Sequence, residues 1–185
     1  VGFTGRDITV VNSNTLVTVG GIDTNSDNLL DRGKIKTYDL NGNVKNEITI
    51  TKSGYDKVVF NGITNLDVNR IAITGFVENS STIQYPFIKF AEIDVDGNII
   101  TTTTNDFIIT TQSKSRAVSI VYGENNIFIL TNNYTQLTDE INNCSVLKYE
   151  YDPFAFNIVF ASKVDINQDN GLKLSATTGK SLALR

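Results

Sequence analysis

The sequence predicts an all-β chain made of consecutive four-stranded antiparallel meanders. Three observations predict it. An Asn- or Gly-rich turn followed by a short apolar run recurs at a nearly constant interval. Each copy carries an apolar stretch before the turn and alternating strands after it. No segment of helical length shows the i, i+3, i+4, i+7 apolar spacing that an amphipathic helix needs.

The recurring element reads Asn12-Ser13-Asn14-Thr15 before Leu16-Val17-Thr18-Val19-Gly20, and Asp67-Val68-Asn69-Arg70 before Ile71-Ala72-Ile73-Thr74-Gly75. It returns as Gly123-Glu124-Asn125-Asn126 before Ile127-Phe128-Ile129-Leu130-Thr131, and as Thr178-Gly179-Lys180-Ser181 before Leu182-Ala183-Leu184. The first apolar residues, Leu16, Ile71, Ile127 and Leu182, are 55, 56 and 55 residues apart. Self-similarity at a fixed period is the mark of a repeat architecture. The stretches before the turns (8–11, 58–63, 117–122, 172–176) form hairpins with the runs after them. A third strand follows at 34–38, 87–93 and 146–151. It closes on a turn, Tyr38-Asp39-Leu40-Asn41-Gly42-Asn43 in the first copy and Ile93-Asp94-Val95-Asp96-Gly97-Asn98 in the second. Glycine supplies positive φ there at little steric cost. The third copy departs, as Tyr151-Asp152-Pro153-Phe154-Ala155-Phe156-Asn157. A fourth strand is expected at 44–50, 99–104 and 158–163.

A four-stranded meander of this length is the unit of a β-propeller, whose sheets bury their faces by radial stacking. The chain resembles Kelch-like and related bacterial surface propeller repeats. Gly20-Gly21 and Gly75 match the glycine that ends the second strand there, with Asn132 in its place in the third copy. Tyr38-Asp39 and Tyr151-Asp152 match the Tyr-Asp turn. The late Trp of a Kelch unit is missing, so no subfamily is assigned. The resemblance implies one domain over 1–185, with units at 6–52, 57–106 and 115–164 and a partial unit at 171–185. Val1-Gly2-Phe3-Thr4-Gly5 reads as the tail of a preceding unit. A β-sandwich is the alternative, and the period favours stacked units over it. Exposed sheet edges imply self-association or further chain. The chain begins at Val1 and contains no Met, so a fragment of a longer chain is expected.

Composition narrows the chemistry. A formal net charge of -4 and the absence of a basic run argue against nucleic acid as the main partner. No apolar run is long enough for membrane insertion. There is no His, so neither a Ser-His-Asp nor a Cys-His arrangement exists within this chain. The single Cys, Cys144, reads as a buried thiol at the opening of a strand.

Calcium is the one cofactor for which the sequence offers a candidate. Asp23, Asn25, Asp27 and Asp31 alternate along one loop, as oxygen ligands around a hard cation do. The sixth and twelfth positions, Asn28 and Lys34, lack the glycine and the bidentate Glu of an EF-hand. The stretch from Asp165 to Gly171 is a second, poorer match. An Asx-rich turn is the plainer reading of both. The carboxylate pairs Asp94 with Asp96 and Asp139 with Glu140 read as turn acids. Tyr85, Phe87, Phe90, Tyr149 and Tyr151 are expected to face the core, whereas Phe154 and Phe156, beside Pro153, are candidates for ligand contact. Sequons at Asn79, Asn133 and Asn143 are no more than abundant Asn, Ser and Thr produce by chance.

The expected function is a non-catalytic structural or binding module in an extracellular, cell-surface or virion setting. Its expected contacts come from loops 22–33, 78–85 and 132–143, which share one rim. The alternatives are a glycan-binding propeller and a non-catalytic part of a propeller enzyme.

Overall fold

Alternating apolar strands with a buried face and tight Asx turns give three antiparallel sheets in the computed structural model, which describes residues 2–101, 106–111, 114–134, 141–155 and 157–166. The first sheet runs β1 (Phe3–Val11), β2 (Thr15–Ile22), β3 (Arg32–Tyr38), β4 (Val44–Ile50). The second runs β5 (Lys57–Asn65), β6 (Arg70–Glu78), β7 (Gln84–Ile93), β8 (Ile99–Ile100), with β9 (Asp106–Ile108) also on β7. The third runs β10 (Ser115–Gly123), β11 (Asn126–Tyr134), β12 (Ile141–Asp152), β13 (Asn157–Ile166). Strand order follows chain order in every sheet, and no described residue is helical.

Several boundaries differ from expectation. Phe3, Thr4 and Gly5 are not the tail of another unit: they pair with Ile22, Gly21 and Gly20 as the start of β1. A bulge between Gly5 and Asp7 breaks the alternation, which hides this segment from a reading of period two. In the second sheet β8 ends at Ile100, short of the expected 104, and β9 also lies on β7, with Phe107 opposite Ile88. Cys144 lies within β12 rather than at its opening, and it is buried. The partial unit at 171–185, with Leu182, lies outside the described residues.

The bulge itself repeats. Each sheet's first strand shifts register once, at Gly5/Asp7, Phe60/Gly62 and Ala117/Ser119. The residues opposite are Gly20, Gly75 and Thr131, so Thr131, not Asn132, occupies the position of the glycines. A Cβ on Gly75 would lie 1.9 Å from the Val59 carbonyl oxygen, and one on Gly20 would lie 2.0 Å from that of Thr4.

The turn after the third strand is built identically twice. Asp39 accepts from the N–H groups of Asn41 (2.9 Å) and Asn43 (2.8 Å) and from Asn43 Nδ2 (2.8 Å). Asp94 does the same with Asp96 (2.9 Å), Asn98 (2.8 Å) and Asn98 Nδ2 (2.8 Å). Gly42 and Gly97 stand at φ +86° and +85°. In the third copy Asp152 instead accepts from the N–H groups of Phe154 and Ala155.

The sheets pack face to face in chain order. Val17, Val19 and Ile35 of the first sheet meet Ile63, Ile71 and Ile73 of the second in one core. Ala72, Ile88 and Phe90, on the second sheet's other face, meet Ile120, Ile129 and Leu147 of the third. The second sheet is therefore buried on both faces, which is why β6 and β7 read as nearly continuous apolar runs. The expected core aromatics are there: Phe87 and Phe90 are fully buried, as are most of Tyr149 and Tyr151. Phe90 stacks on Tyr151 at 5.5 Å between centroids. Burial pushes the Tyr149 hydroxyl pKa up to about 12.

First strands also meet edge to edge. Asp7 Oδ2 accepts from Ile63 N–H (3.0 Å), Asn12 N–H donates to the Val68 carbonyl (3.0 Å), and Asn61 Nδ2 donates to that of Ala117 (2.8 Å). Each joins residues 56 apart in the sequence, close to the repeat length.

Candidate functional site

A meander puts its turns alternately at two ends. The β1–β2 and β3–β4 turns share one end, and the β2–β3 connections share the other. The second end carries residues 23–31 and 79–83, together with the residues that flank 135–140, which lie outside the described set.

The first connection folds around its own acids. Asp23 accepts from the N–H groups of Asn25 (3.1 Å), Ser26 (2.7 Å) and Asn28 (2.8 Å). Asp27 accepts from Leu29 N–H (2.8 Å) and Asn25 Nδ2 (3.1 Å). Asp31 is buried and takes the N–H (3.1 Å) and hydroxyl of Thr24. Desolvation pushes the Asp23 pKa upward, but the N–H donors led by Asn28 outweigh it and leave the carboxyl below its ordinary value. Ser26 and Asn28 hold positive φ of 66° each, a conformation that Asn tolerates better than most residues. The four calcium candidates thus share one loop, with their oxygens engaged by donors of that loop. Among the described residues no group of three or more His, Cys, Asp or Glu side chains is gathered to hold a metal.

The second connection is an Asn79 turn, in which Oδ1 accepts from the N–H groups of Ser81 (3.1 Å) and Ile83 (2.9 Å). Beside it, a polar chain crosses from the second sheet to the third. Lys57 pairs with Glu78 at 2.8 Å, Gln84 Nε2 donates to Glu78 Oε2 at 2.6 Å, and Arg116 Nε donates to Gln84 Oε1. The Arg116 guanidinium lies 5.0 Å from the Phe76 ring and 4.7 Å from that of Tyr134. Such stacking holds a cation and two aromatic planes rigidly together. Neither a protein-family model nor a curated protein matches the chain.

The remaining candidates are scattered. Phe154 is at the opposite end and 98% exposed, and Phe156 lies outside the described residues, as do Asp139 and Glu140. Asp94 is a turn acceptor, held below the ordinary carboxyl range by Asn98, the wrong direction for a general acid at neutral pH. Asp165 accepts from Ser145 Oγ (2.6 Å) and pairs with Lys163 (2.9 Å); its partners 167–171 are outside the described residues. The Arg116 cluster was not readable in the sequence. Phe76, Gln84, Arg116 and Tyr134 come from four strands of two sheets, and only register brings them together.

Proposed function

We propose that the three sheets are successive blades of a β-propeller-type array, and that the chain is a non-catalytic binding module. It engages a protein ligand through the rim formed by the β2–β3 connections. The observation that carries this reading is the bracing of that rim. Two connections are closed by their own side chains onto backbone N–H groups, and Arg116, stacked between Phe76 and Tyr134, ties the second sheet to the third beside them. Loops set on a rigid scaffold are where such folds place recognition. Weakly charged surfaces rich in Asn and Thr suit an extracellular or cell-surface setting.

The test is a screen of the protein against peptide and glycan arrays, with calcium and with chelator. On this reading a peptide ligand is retained in chelator, lost with Asn25→Ala plus Ser81→Ala, and unaffected by Phe154→Ser. Loss of binding with Phe154→Ser alone would move the site to the opposite end. A calcium-dependent glycan signal would replace the reading with a lectin-like one.

A further inference from the structure

The turns at the end opposite the β2–β3 connections present apolar side chains to solvent at matching places. Leu40 and Val95 stand one residue after the acceptor Asp of the two Asp-x-x-Gly-Asn turns, and they are 59% and 78% exposed. In the third copy that place is Pro153, and the almost fully exposed Phe154 follows it. Val68, in the β5–β6 turn, is 69% exposed. Among the described residues only Leu29 is a comparably exposed large apolar side chain in a connection at the other end. One such residue on a surface is ordinary, whereas a group of them on neighbouring turns marks a contact surface. Hydrogen bonds make these turns neighbours. Between sheets, Asn12 N–H donates to the Val68 carbonyl (3.0 Å), Thr37 Oγ1 to that of Gly97 (2.7 Å), and the Arg70 guanidinium to that of Pro153. Within sheets, Ile93 N–H donates to the Asn69 carbonyl (2.8 Å) and Tyr151 N–H to that of Asn125 (2.9 Å). The apolar tips are therefore held on short braced turns, and docking on them orders little chain.

The charge among them has one sign. The six turns at this end (12–14, 39–43, 66–69, 94–98, 124–125 and 152–156) contain Asp39, Asp67, Asp94, Asp96, Glu124 and Asp152, and no basic residue. Lys45 and Arg70 adjoin them, and Arg70 is paired with Asp67. Hydrogen bonds from Asn43 and Asn98 hold Asp39 and Asp94 below the ordinary carboxyl range, so these charges persist in mild acid. The other end is mixed in sign, with Arg32, Lys52, Lys57 and Arg116 interleaved with its acids. A second copy offering the same end would set acid against acid, and an anionic membrane would be repelled.

We propose that this end is a second binding surface, distinct from the β2–β3 rim, and that it takes a segment of a partner protein in which Lys or Arg alternates with apolar side chains. The apolar side chains of that segment pack on Leu40, Val68, Val95 and Phe154, and its cations meet the turn acids beside them. Apolar contact supplies the affinity, while the single sign of charge steers the encounter and rejects acidic segments.

The experiment is fluorescence anisotropy of the full chain with two synthetic peptides, one alternating Lys with Leu and one alternating Glu with Leu. The Lys peptide is expected to bind, less tightly as salt rises, and the Glu peptide is expected not to. Val95→Ser plus Phe154→Ser, with unchanged circular dichroism and melting, should weaken binding about tenfold or more. Asp96→Lys should weaken it chiefly by slowing association, whereas Asp56→Lys, the same change of net charge on an exposed residue at the other end, should alter it little. Asn25→Ala plus Ser81→Ala should leave this binding intact, so the two surfaces fail separately. No binding of the Lys peptide, equal binding of the two peptides, or equal loss with Asp96→Lys and Asp56→Lys overturns the proposal. Binding that survives Val95→Ser plus Phe154→Ser, or that is lost with Asn25→Ala plus Ser81→Ala, also overturns it. So does self-association, or sedimentation with neutral phosphatidylcholine vesicles, that Phe154→Ser abolishes.

Discussion

At the scale of single residues, the tightest constraint is at Gly75, where there is no room for a methyl group against the bulged backbone of β5. Gly75→Ala must move main chain rather than a side chain, and its expected cost is on the order of 3 kcal/mol by urea unfolding. The same change at the exposed turn position Gly42, with nothing within 4 Å of its Cβ, strains only φ, at about 1 kcal/mol. The buried Lys89–Asp106 pair is the second constraint. The two side chains are only 4% and 3% exposed, and Lys52 adds a 3.0 Å contact to the same carboxylate. Asp106→Asn strands two ammonium groups near a single neutral amide. It should cost about 3–5 kcal/mol, whereas the solvated Glu47→Gln should change the unfolding midpoint far less. Equal effects from the two substitutions would contradict the difference in burial.

At the scale of elements, hydrogen bonds to carboxylates build the turns and set their response to acid. Lys34 and Lys36 hold the Glu47 carboxyl at about 2, against an ordinary 4.5, and Asn43 and Asn98 lower Asp39 and Asp94. A group whose pKa is depressed in the folded state stabilises the fold above its unfolded pKa and loses that contribution as pH falls through the folded value. The melting temperature should therefore decline between about pH 4.5 and 2. Glu47→Gln should flatten that decline, and an unchanged slope in the variant would remove Glu47 from the account. The hairpins and the Asp-x-x-Gly-Asn turns were legible in the sequence because their causes are local: glycine at positive φ and an Asx side chain within reach of the next N–H groups. The first half of β1 was not, since an extra residue in a bulge inverts the pattern that betrays a strand. The end of β8 at Ile100 was also illegible, because the run of Ile and Thr that continues past it in the sequence gives no sign of a stop.

For the whole molecule, the asymmetry of burial orders local stability. Among the described residues the second sheet is buried on both faces, whereas β1 and β13 are largely exposed. Amides of β6 and β7 should exchange slowest, at the rate of global unfolding, while β1 and β13 open first. Protection of β13 equal to that of β6 would show that its outward face is already covered. The period of 55–56 residues disclosed the spacing and order of the three described sheets, and the alternation of apolar residues disclosed which strands have a wet side. The cluster around Arg116 and the buried Lys89–Asp106 pair were invisible, since each depends on residues brought opposite one another by register. The repeated junction has an evolutionary corollary. Because consecutive sheets join through equivalent surfaces, a tandem duplication or deletion of one whole unit leaves every remaining seam chemically familiar, so genes of this type should change length in steps of a full repeat.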